Sequence, residues 1–306
     1  MQRILSTGVL VGLLAATAAA FAVTERLKLT KSPITGTKII RDHLSPAVHT
    51  TAAINVRFRH GDVVTATILD ARRHEVDTLV GTVPMPLGRH TFTWNGMTDA
   101  GTAAPDGTYR LEIHLARQHR TILLPNPITL DTKRPVVLEA GAVRPFFSPD
   151  GDRQSDTVTI HYKLSETAHV LVLVNGNRVI RGRSSQTKNK VTWGGAVDGT
   201  LLPPGTYVLR VGAVDLAGNT AVKMQDVAVT LRYIELLQRR FDNMRAGGTF
   251  HVTVSTDAKR YRWSFAGRKG VSTARRLKLR LPTTHGTYRL IVTEDGHSDH
   301  AIVHVR

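Results

Sequence analysis

Apolar and polar side chains alternate one by one along most of the chain after Ala52, and this pattern limits the possible folds more than any other feature. In the first such segment Ile54, Val56 and Phe58 are separated by polar residues, and the pattern recurs in Tyr109–Leu115, Val158–Leu164, Phe250–Val254 and Leu277–Leu281. A strand with this alternation turns one face to a core and the other to water, as in antiparallel sheets. Helical periodicity is almost absent after residue 23. The sequence therefore predicts an all-β fold.

A Gly-Thr-Tyr-x-Leu motif occurs three times and indicates the number of domains. Its tyrosines are Tyr109, Tyr207 and Tyr288, which are 98 and 81 residues apart. An immunoglobulin-like (Ig-like) sandwich has about 100 residues, so the spacing predicts one sandwich for each motif. Trp94 and Trp193 precede the first two tyrosines by 15 and 14 residues, whereas the third tryptophan precedes its tyrosine by 25. The third unit is therefore predicted to be a divergent sandwich.

The first two units share a longer set of motifs. They are Trp94-Asn-Gly96, Asp99-Ala-Gly101 and Pro105-Asp-Gly107 in the first unit, and Trp193-Gly-Gly195, Asp198-Gly199 and Pro204-Gly205 in the second. Over about residues 50–230 these motifs resemble the Ig-like domain at the C-terminal end of the flagellar hook-capping protein FlgD, which also occurs in many exported bacterial proteins. Phe147-Ser-Pro-Asp-Gly-Asp152 and Val214-Asp-Leu-Ala-Gly-Asn219 are similar to the opening and closing segments of such domains. The resemblance implies tandem Ig-like sandwiches. It does not imply hook assembly, because the hook-associating part has no counterpart here.

These observations predict five segments. Residues 1–23 form an apolar helix that is a signal peptide or a transmembrane anchor, and residues 24–47 form a spacer rich in Pro, Gly and charge. Ig-like domains follow at residues 48–131 and 132–231, both of the FlgD type, and at residues 232–306, the divergent and basic unit.

The N-terminal segment predicts export. Ile4 to Val23 carries no charge and follows Arg3, as in a secretory leader, and Ala20-Phe21-Ala22 is a small-x-small cleavage signal. About 20 apolar residues are also enough to span a bilayer, so a cleaved leader and an uncleaved anchor both remain open. Either one places the rest of the chain outside the cytoplasm. The absence of Cys excludes disulfides and thiolate metal sites, so the exported domains rely on their cores.

An acidic loop is the best candidate for a metal site. Asp150, Asp152 and Asp156 place three carboxylates within one turn, and hard cations such as Ca²⁺ need several oxygen ligands. The alternative is a turn in which these side chains accept hydrogen bonds from nearby backbone N–H groups. No other cofactor is predicted. On a helix, His297, His300 and His304 could bind zinc. On the predicted strand Ala301–Val305, His300 and His304 share a face but are about 13 Å apart, too far to share one ion. We expect them to be solvated.

Positive charge is the remaining lead to a ligand. The chain has 41 Lys+Arg against 24 Asp+Glu, and residues 233–306 hold 14 and 6 of these. The basic residues of interest are Arg260, Arg262, Arg268, Lys269, Arg275, Arg276, Lys278 and Arg280. Such a surface attracts polyanions, which outside a cell are phosphate-bearing wall polymers and lipid headgroups. A merely solvated face is the alternative. Nucleic acid is not expected, because no nucleic-acid-binding motif is present.

Catalytic motifs are missing from the sequence, including G-x-S-x-G, H-E-x-x-H and the P-loop. Trp94, Trp193 and Trp263 are predicted to pack inward, with sugar-stacking platforms as the alternative. We therefore expect a non-enzymatic envelope protein that acts as a structural spacer or binds other proteins. The alternative functions are a module for anionic wall polymers or lipid headgroups, carried by the third unit, and an envelope hydrolase with an unrecognised site.

Overall fold

Most residues of the computed structural model, which describes residues 12–21 and 31–306, lie in β-strands, and most of these strands pair antiparallel. Residues 12–21 are helical. No helix in these two ranges is both long enough and apolar enough to cross a membrane. The other residues of the predicted leader or anchor lie outside the described ones. The chain divides into two compact units, Met1–Thr132 and Lys133–Arg306.

The first unit contains one two-layer sandwich and one hydrophobic core. One sheet has the order β1-β3-β6, and the other has the order β2-β9-β7-β4-β5 with β8 beside β7. Buried aliphatic side chains from both sheets surround Trp94 and Tyr109. A short 3-10 helix, Pro46–Val48, follows β2. The strands are β1 (Ile34–Arg41), β2 (His43–Leu44), β3 (Ala52–Phe58), β4 (Asp62–Leu69), β5 (Glu75–Met85), β6 (Gly88–Trp94), β7 (Gly107–Leu115), β8 (Arg120–Leu123) and β9 (Ile128–Leu130).

The structure differs from the predicted spacer at residues 24–47. Strand β1 pairs with β3 along its whole length, and Leu44 in β2 is fully buried in the core. The expected alternation is broken in β1 because its register shifts twice, between Ile34 and Gly36 and between Ile39 and Arg41. Such bulges interrupt the period-two pattern from which strands are predicted. The described part of this segment therefore belongs to the first sandwich.

The second unit contains two further hydrophobic cores. The core nearer the N-terminus belongs to a sandwich in which β12 contributes to both layers. The first half of β12 pairs with β14 and β10, and its second half pairs with β17 and β13. The strands are β10 (Val137–Ala142), β11 (Phe146–Phe147), β12 (Val158–Val174), β13 (Asn177–Arg181), β14 (Gln186–Trp193), β15 (Ala196–Val197), β16 (Thr200–Leu201), β17 (Gly205–Asp215) and β18 (Gln225–Leu231).

The third sandwich is smaller and has sheets of three and five strands, in the orders β19-β21-β24 and β20-β26-β25-β22-β23. In each of the three sandwiches a short early strand pairs in parallel with the last strand: β2 with β9, β11 with β18, and β20 with β26. The strands are β19 (Glu235–Leu236), β20 (Arg240–Met244), β21 (Thr249–Ser255), β22 (Tyr261–Phe265), β23 (Arg268–Ser272), β24 (Arg276–Arg280), β25 (Gly286–Glu294) and β26 (His297–Val305).

Candidate functional site

The shared tryptophan and tyrosine of the first sandwich lie in its core. Trp94 is 1% exposed, and its indole N–H donates a 2.8 Å hydrogen bond to the carbonyl of Met97. The hydroxyl of Tyr109 donates to the carbonyl of Pro105, four residues earlier, and the two ring centroids are 4.7 Å apart. Both polar tips are thus bonded within the sandwich, as buried Trp and Tyr require.

The second sandwich repeats this arrangement at equivalent positions. The indole N–H of Trp193 donates to the carbonyl of Ala196, three residues later, and the hydroxyl of Tyr207 donates to the carbonyl of Pro203, four residues earlier. In the first sandwich the corresponding offsets are also three and four residues. The same local geometry therefore underlies the shared motifs.

The glycine of the Trp-x-Gly motif has a specific role in both sandwiches. Gly96 and Gly195 adopt φ values of +82° and +81°, which L side chains rarely adopt. A Cβ on Gly96 would lie 2.6 Å from Leu44 Cδ1 and from Pro46 Cγ, and one on Gly195 would lie 3.2 Å from Phe147. The glycine thus allows the Leu-Ser-Pro or Phe-Ser-Pro segment to pack against the turn that follows the tryptophan.

The third sandwich keeps the tyrosine contact but not the tryptophan. The Tyr288 hydroxyl donates a 3.0 Å hydrogen bond to the carbonyl of Thr284, again four residues earlier. Trp263 is half-buried, packs against the core and covers Gly270 on the neighbouring strand, where an added Cβ would lie 2.7 Å from the indole. All three tryptophans therefore pack against their own sandwich, and the third does so at its margin.

The acidic loop lies between β11 and β12, and one oxygen each of Asp150, Asp152 and Asp156 lies within 4.8 Å of the other two. Most of their bonding capacity is used inside the turn. Asp156 accepts from the backbone N–H groups of Gly151 and Arg153, and Asp152 accepts from the backbone and side chain of Gln154. The loop thus has the hydrogen bonds of the turn interpretation, and the calcium interpretation of these three residues stays a prediction.

Two further carboxylates lie near this loop and were not singled out from the sequence. One oxygen each of Asp150, Asp257 and Glu294 also lies within 4.8 Å of the other two. Asp257 follows β21, and Glu294 ends β25 on the inward face that it shares with Leu290 and Val292. An acidic side chain on the apolar face of a strand was the available sequence signal.

Burial and mutual repulsion disturb both of these carboxyls. Burial, followed by the charges of Asp150 and Asp152, raises the pKa of Asp257 to about 6, while its own backbone and Ser148 act in the opposite direction. Burial is also the main cause that raises the pKa of Glu294, opposed by the Thr256 hydroxyl and reinforced by the neighbouring aspartates. Strongly perturbed carboxyls of this kind mark candidate functional sites.

The eight basic residues do not form one face. All eight are exposed. Arg276, Lys278 and Arg280 alternate with buried Leu277 and Leu279 on β24, so they project from the outer face of the three-stranded sheet. Arg262 and Lys269 belong to β22 and β23 of the other sheet, and Arg260 and Arg275 lie in connections. The guanidinium of Arg268 donates to the carbonyl of Arg280, which joins the two sheet edges.

The histidines of the C-terminal strand have separate partners. His297 stacks on Tyr233 with ring centroids 3.4 Å apart, and His304 contacts the Thr287 hydroxyl at 2.9 Å. Within the described residues, every convergent group of three or more potential metal ligands contains carboxylates alone.

A cleft of about 490 Å³ lies beside the carboxylates in the second unit. Its lining combines apolar side chains, including Phe146 and Leu237, with Arg144, Arg275 and Asp257. The guanidinium of Arg232 also lines the cleft and lies 4.0 Å above the Phe146 ring.

Comparisons with known proteins agree with the architecture. Residues 46–118 match the family model of the FlgD Ig-like domain. A search of curated proteins gave no significant match.

Three solved structures of multidomain proteins overlay on this chain with low TM-scores. The D0-D1 domain of intimin is 12% identical, covers 65% of this chain and 98% of its own, and has a TM-score of 0.27. The titin I-band fragment I67–I69 is 12% identical, covers 90% and 99%, and has a TM-score of 0.29. The four N-terminal Ig domains of a Dscam1 isoform are 13% identical, cover 88% and 72%, and have a TM-score of 0.21. The chain is thus similar to the FlgD Ig-like family over residues 46–118, and its described strands form a tandem array of three Ig-like β-sandwiches.

Proposed function

We propose that this protein is an exported, non-enzymatic component of the cell envelope whose tandem Ig-like sandwiches act as a spacer or as a protein-interaction module. The observation that carries the proposal is that the shared aromatic side chains form hydrogen bonds within their own sandwiches. Trp94 and Tyr109 in the first sandwich, and Trp193 and Tyr207 in the second, bond their polar tips to neighbouring backbone carbonyls. Rings held in this way support the fold and are not presented to a small-molecule ligand.

The hydrolase alternative depends on the cleft beside Asp257, because a perturbed carboxyl in a cleft is a typical acid or base. The geometry argues against this role. Each carboxylate oxygen of Asp257 has less than 1 Å² of accessible surface. A general acid or base must come within hydrogen-bond reach of substrate, and these oxygens are covered. The proposal is therefore of a module without catalysis.

Cell fractionation of the full chain tests the export part of the proposal. A C-terminally tagged chain should appear in the envelope fraction, where mass spectrometry of its N-terminus separates a cleaved leader from an anchor. The matched variant carries Leu13→Arg and Leu14→Arg, two exposed positions of the N-terminal helix, and should remain in the cytoplasm. Recovery of the unaltered chain only in the cytoplasm would contradict the proposal.

The outer face of β24 supports a second candidate function, the binding of anionic wall polymers or lipid headgroups. Arg276, Lys278 and Arg280 share this face, and no ion pair involves them in the described part of the chain. Their partners across the sheet on β21 are Thr253, His251 and Thr249, which carry no negative charge. Such a stripe attracts anions in a salt-dependent way.

Co-sedimentation with anionic vesicles at increasing salt tests this second function. The variant Arg276→Glu/Lys278→Glu should lose binding at low salt. The control Lys188→Glu/Lys190→Glu changes the same charge at the same spacing on β14, an exposed edge strand of the second sandwich, and should keep most of it. Equal losses in both variants would indicate a response to net charge alone, and binding that salt does not weaken would exclude the electrostatic mechanism.

A further inference from the structure

Three carboxylates from separate segments of the described chain converge in the second unit. Asp150 comes from the acidic loop of the second sandwich, whereas Asp257 and Glu294 come from the third, and their nearest oxygens lie within 4.8 Å of one another. Over residues 12–21 and 31–306, none of the three forms an ion pair with Lys, Arg or His. Folding thus gathers like charges that repel one another.

Asp257 supplies a second, independent observation. Both of its carboxylate oxygens are buried to less than 1 Å², and neither has a hydrogen-bond partner at bonding distance and angle in the described chain. The Ser148 hydroxyl lies near enough to lower the pKa of Asp257, but it donates its proton to Asp150. Glu294 beside it is only 9% exposed. Buried polar groups are almost always hydrogen-bonded, and buried charges are paired or coordinate a metal. An unpartnered carboxylate aimed at two others therefore points to a missing positive partner.

The hydrogen bonds show which oxygens remain available as ligands. Both oxygens of Asp152 and both of Asp156 accept hydrogen bonds within the turn. Each oxygen of Asp150 accepts one bond, from the Asp152 N–H or the Ser148 hydroxyl, and Glu294 accepts one, from the Thr256 hydroxyl. Asp257 accepts none. Among the described residues, both oxygens of Asp257 and one oxygen of Glu294 thus accept no hydrogen bond, whereas the oxygens of Asp150, like those of Asp152 and Asp156, accept one each. The two carboxyls with unused oxygens were not in the ligand set predicted from the sequence, and Asp150 is the loop carboxylate that lies beside them.

We propose that Asp150, Asp257 and Glu294 together bind a divalent cation of the Ca²⁺ class, which ties the acidic loop of the second sandwich to the third sandwich. Calcium–oxygen bonds of about 2.3–2.6 Å place ligands on opposite sides of the ion about 5 Å apart, which the observed separation allows. Ca²⁺ tolerates irregular ligand sets, whereas Mg²⁺ requires nearly ideal octahedral geometry, so ligands from three different segments favour Ca²⁺. This inference goes beyond the proposed function and does not depend on it.

Calorimetric titration of the full chain with CaCl₂, after treatment with chelator, measures the binding directly. Extracellular calcium modules bind with dissociation constants of about 10⁻⁴–10⁻³ M, so the titration extends to about 10 mM. The expected result is one site that weakens at least tenfold in Asp257→Asn and in Glu294→Gln. Asp77→Asn is the matched control, because this carboxyl of the first unit also has a raised pKa, owing to burial and then to Asp99. It should bind as the unaltered chain does.

Thermal unfolding in chelator separates loss of binding from loss of folding. Asp257→Asn removes a buried charge without a partner, so its melting temperature in chelator should equal or exceed that of the unaltered chain. Ca²⁺ should raise the melting temperature of the unaltered chain and of Asp77→Asn, but not that of Asp257→Asn. Absence of Ca²⁺ binding up to 10 mM would overturn the proposal. So would binding that is lost in Asp156→Asn but kept in Asp257→Asn and Glu294→Gln, since the ion would then belong to the acidic loop alone.

Discussion

The glycine of the Trp-x-Gly motif gives the sharpest test of the packing in the first sandwich. Gly96 and Gly101 both adopt positive φ, at +82° and +74°, but their surroundings differ. A Cβ on Gly96 would lie 2.6 Å from two side-chain atoms, whereas a Cβ on Gly101 would meet nothing within 4 Å. The Gly101→Ala variant is thus a matched control that carries the conformational cost alone.

Gly96→Ala should cost about 1–3 kcal/mol more than Gly101→Ala. A left-handed conformation costs a non-glycine residue about 1–2 kcal/mol, which is the expected loss in unfolding free energy for Gly101→Ala. Gly96→Ala adds overpacking against Leu44, which is fully buried, and against Pro46. Overpacking costs about 1–3 kcal/mol, so the total for Gly96→Ala is about 2–5 kcal/mol.

Urea unfolding of the full chain, followed by the fluorescence of Trp94 in a Trp193→Phe/Trp263→Phe background, measures both losses in the first sandwich. The midpoint should fall further for Gly96→Ala than for Gly101→Ala, with the slope against urea unchanged. Equal losses would refute the reasoning, because they would mean that the backbone conformation matters and the close approach to Leu44 and Pro46 does not.

Three further predictions follow from other contacts. Tyr109→Phe removes a hydrogen bond at a ring that is 4% exposed, and should lower the unfolding free energy measured in urea by about 1–1.5 kcal/mol. Tyr288→Phe removes the equivalent bond at a half-buried ring and should lower it by about 0.5 kcal/mol. A larger loss for Tyr288→Phe than for Tyr109→Phe would contradict the burial argument. Gly270→Val should displace the indole of Trp263 and shift its emission to longer wavelength, while Gly141→Val, at a glycine of β10 without positive φ whose added Cβ would meet nothing within 4 Å, should leave the emission unchanged; a shift in both variants would count against the contact. The pKa of Asp257, about 6 in the folded state against an ordinary 3.8, means that the folded protein holds this proton more tightly. In chelator, this carboxyl should therefore lower stability by about 1–2 kcal/mol, after discounting for solvent screening, as the pH rises from 4 to 7. Asp257→Asn should remove that part of the fall and leave the part due to Glu294, whose pKa is also raised; an unchanged pH profile would refute the assignment.

Local sequence patterns were sufficient to predict that the chain forms three sandwiches, although they did not predict every strand. Alternation predicts strands such as β7 and β24, because burying one face of a strand requires it. The Gly-Thr-Tyr motif predicted the number of sandwiches, and in each of them the structure gives its tyrosine the same contact, a hydrogen bond from the hydroxyl to a carbonyl four residues earlier. Strand β1 was missed because bulges break its alternation, so the local pattern no longer reports its burial.

The candidate site depends on contacts that local patterns do not encode. Asp150 and Asp257 are far apart in sequence, and they meet only because the third sandwich lies beside the acidic loop of the second sandwich. The basic residues follow one another closely along the chain, yet β23 and β24 belong to different sheets. Closeness in sequence therefore did not predict a common face.

Fluorescence quenching by acrylamide tests most directly whether the tryptophans are buried in the cores of their sandwiches. In a Trp263→Phe variant only Trp94 and Trp193 remain, and they are 1% and 4% exposed. We expect weak quenching in the folded protein, rising to that of free tryptophan on unfolding in urea. Quenching in the folded protein as strong as that of free tryptophan would show that these rings face solvent, and would contradict the account of both Ig-like cores.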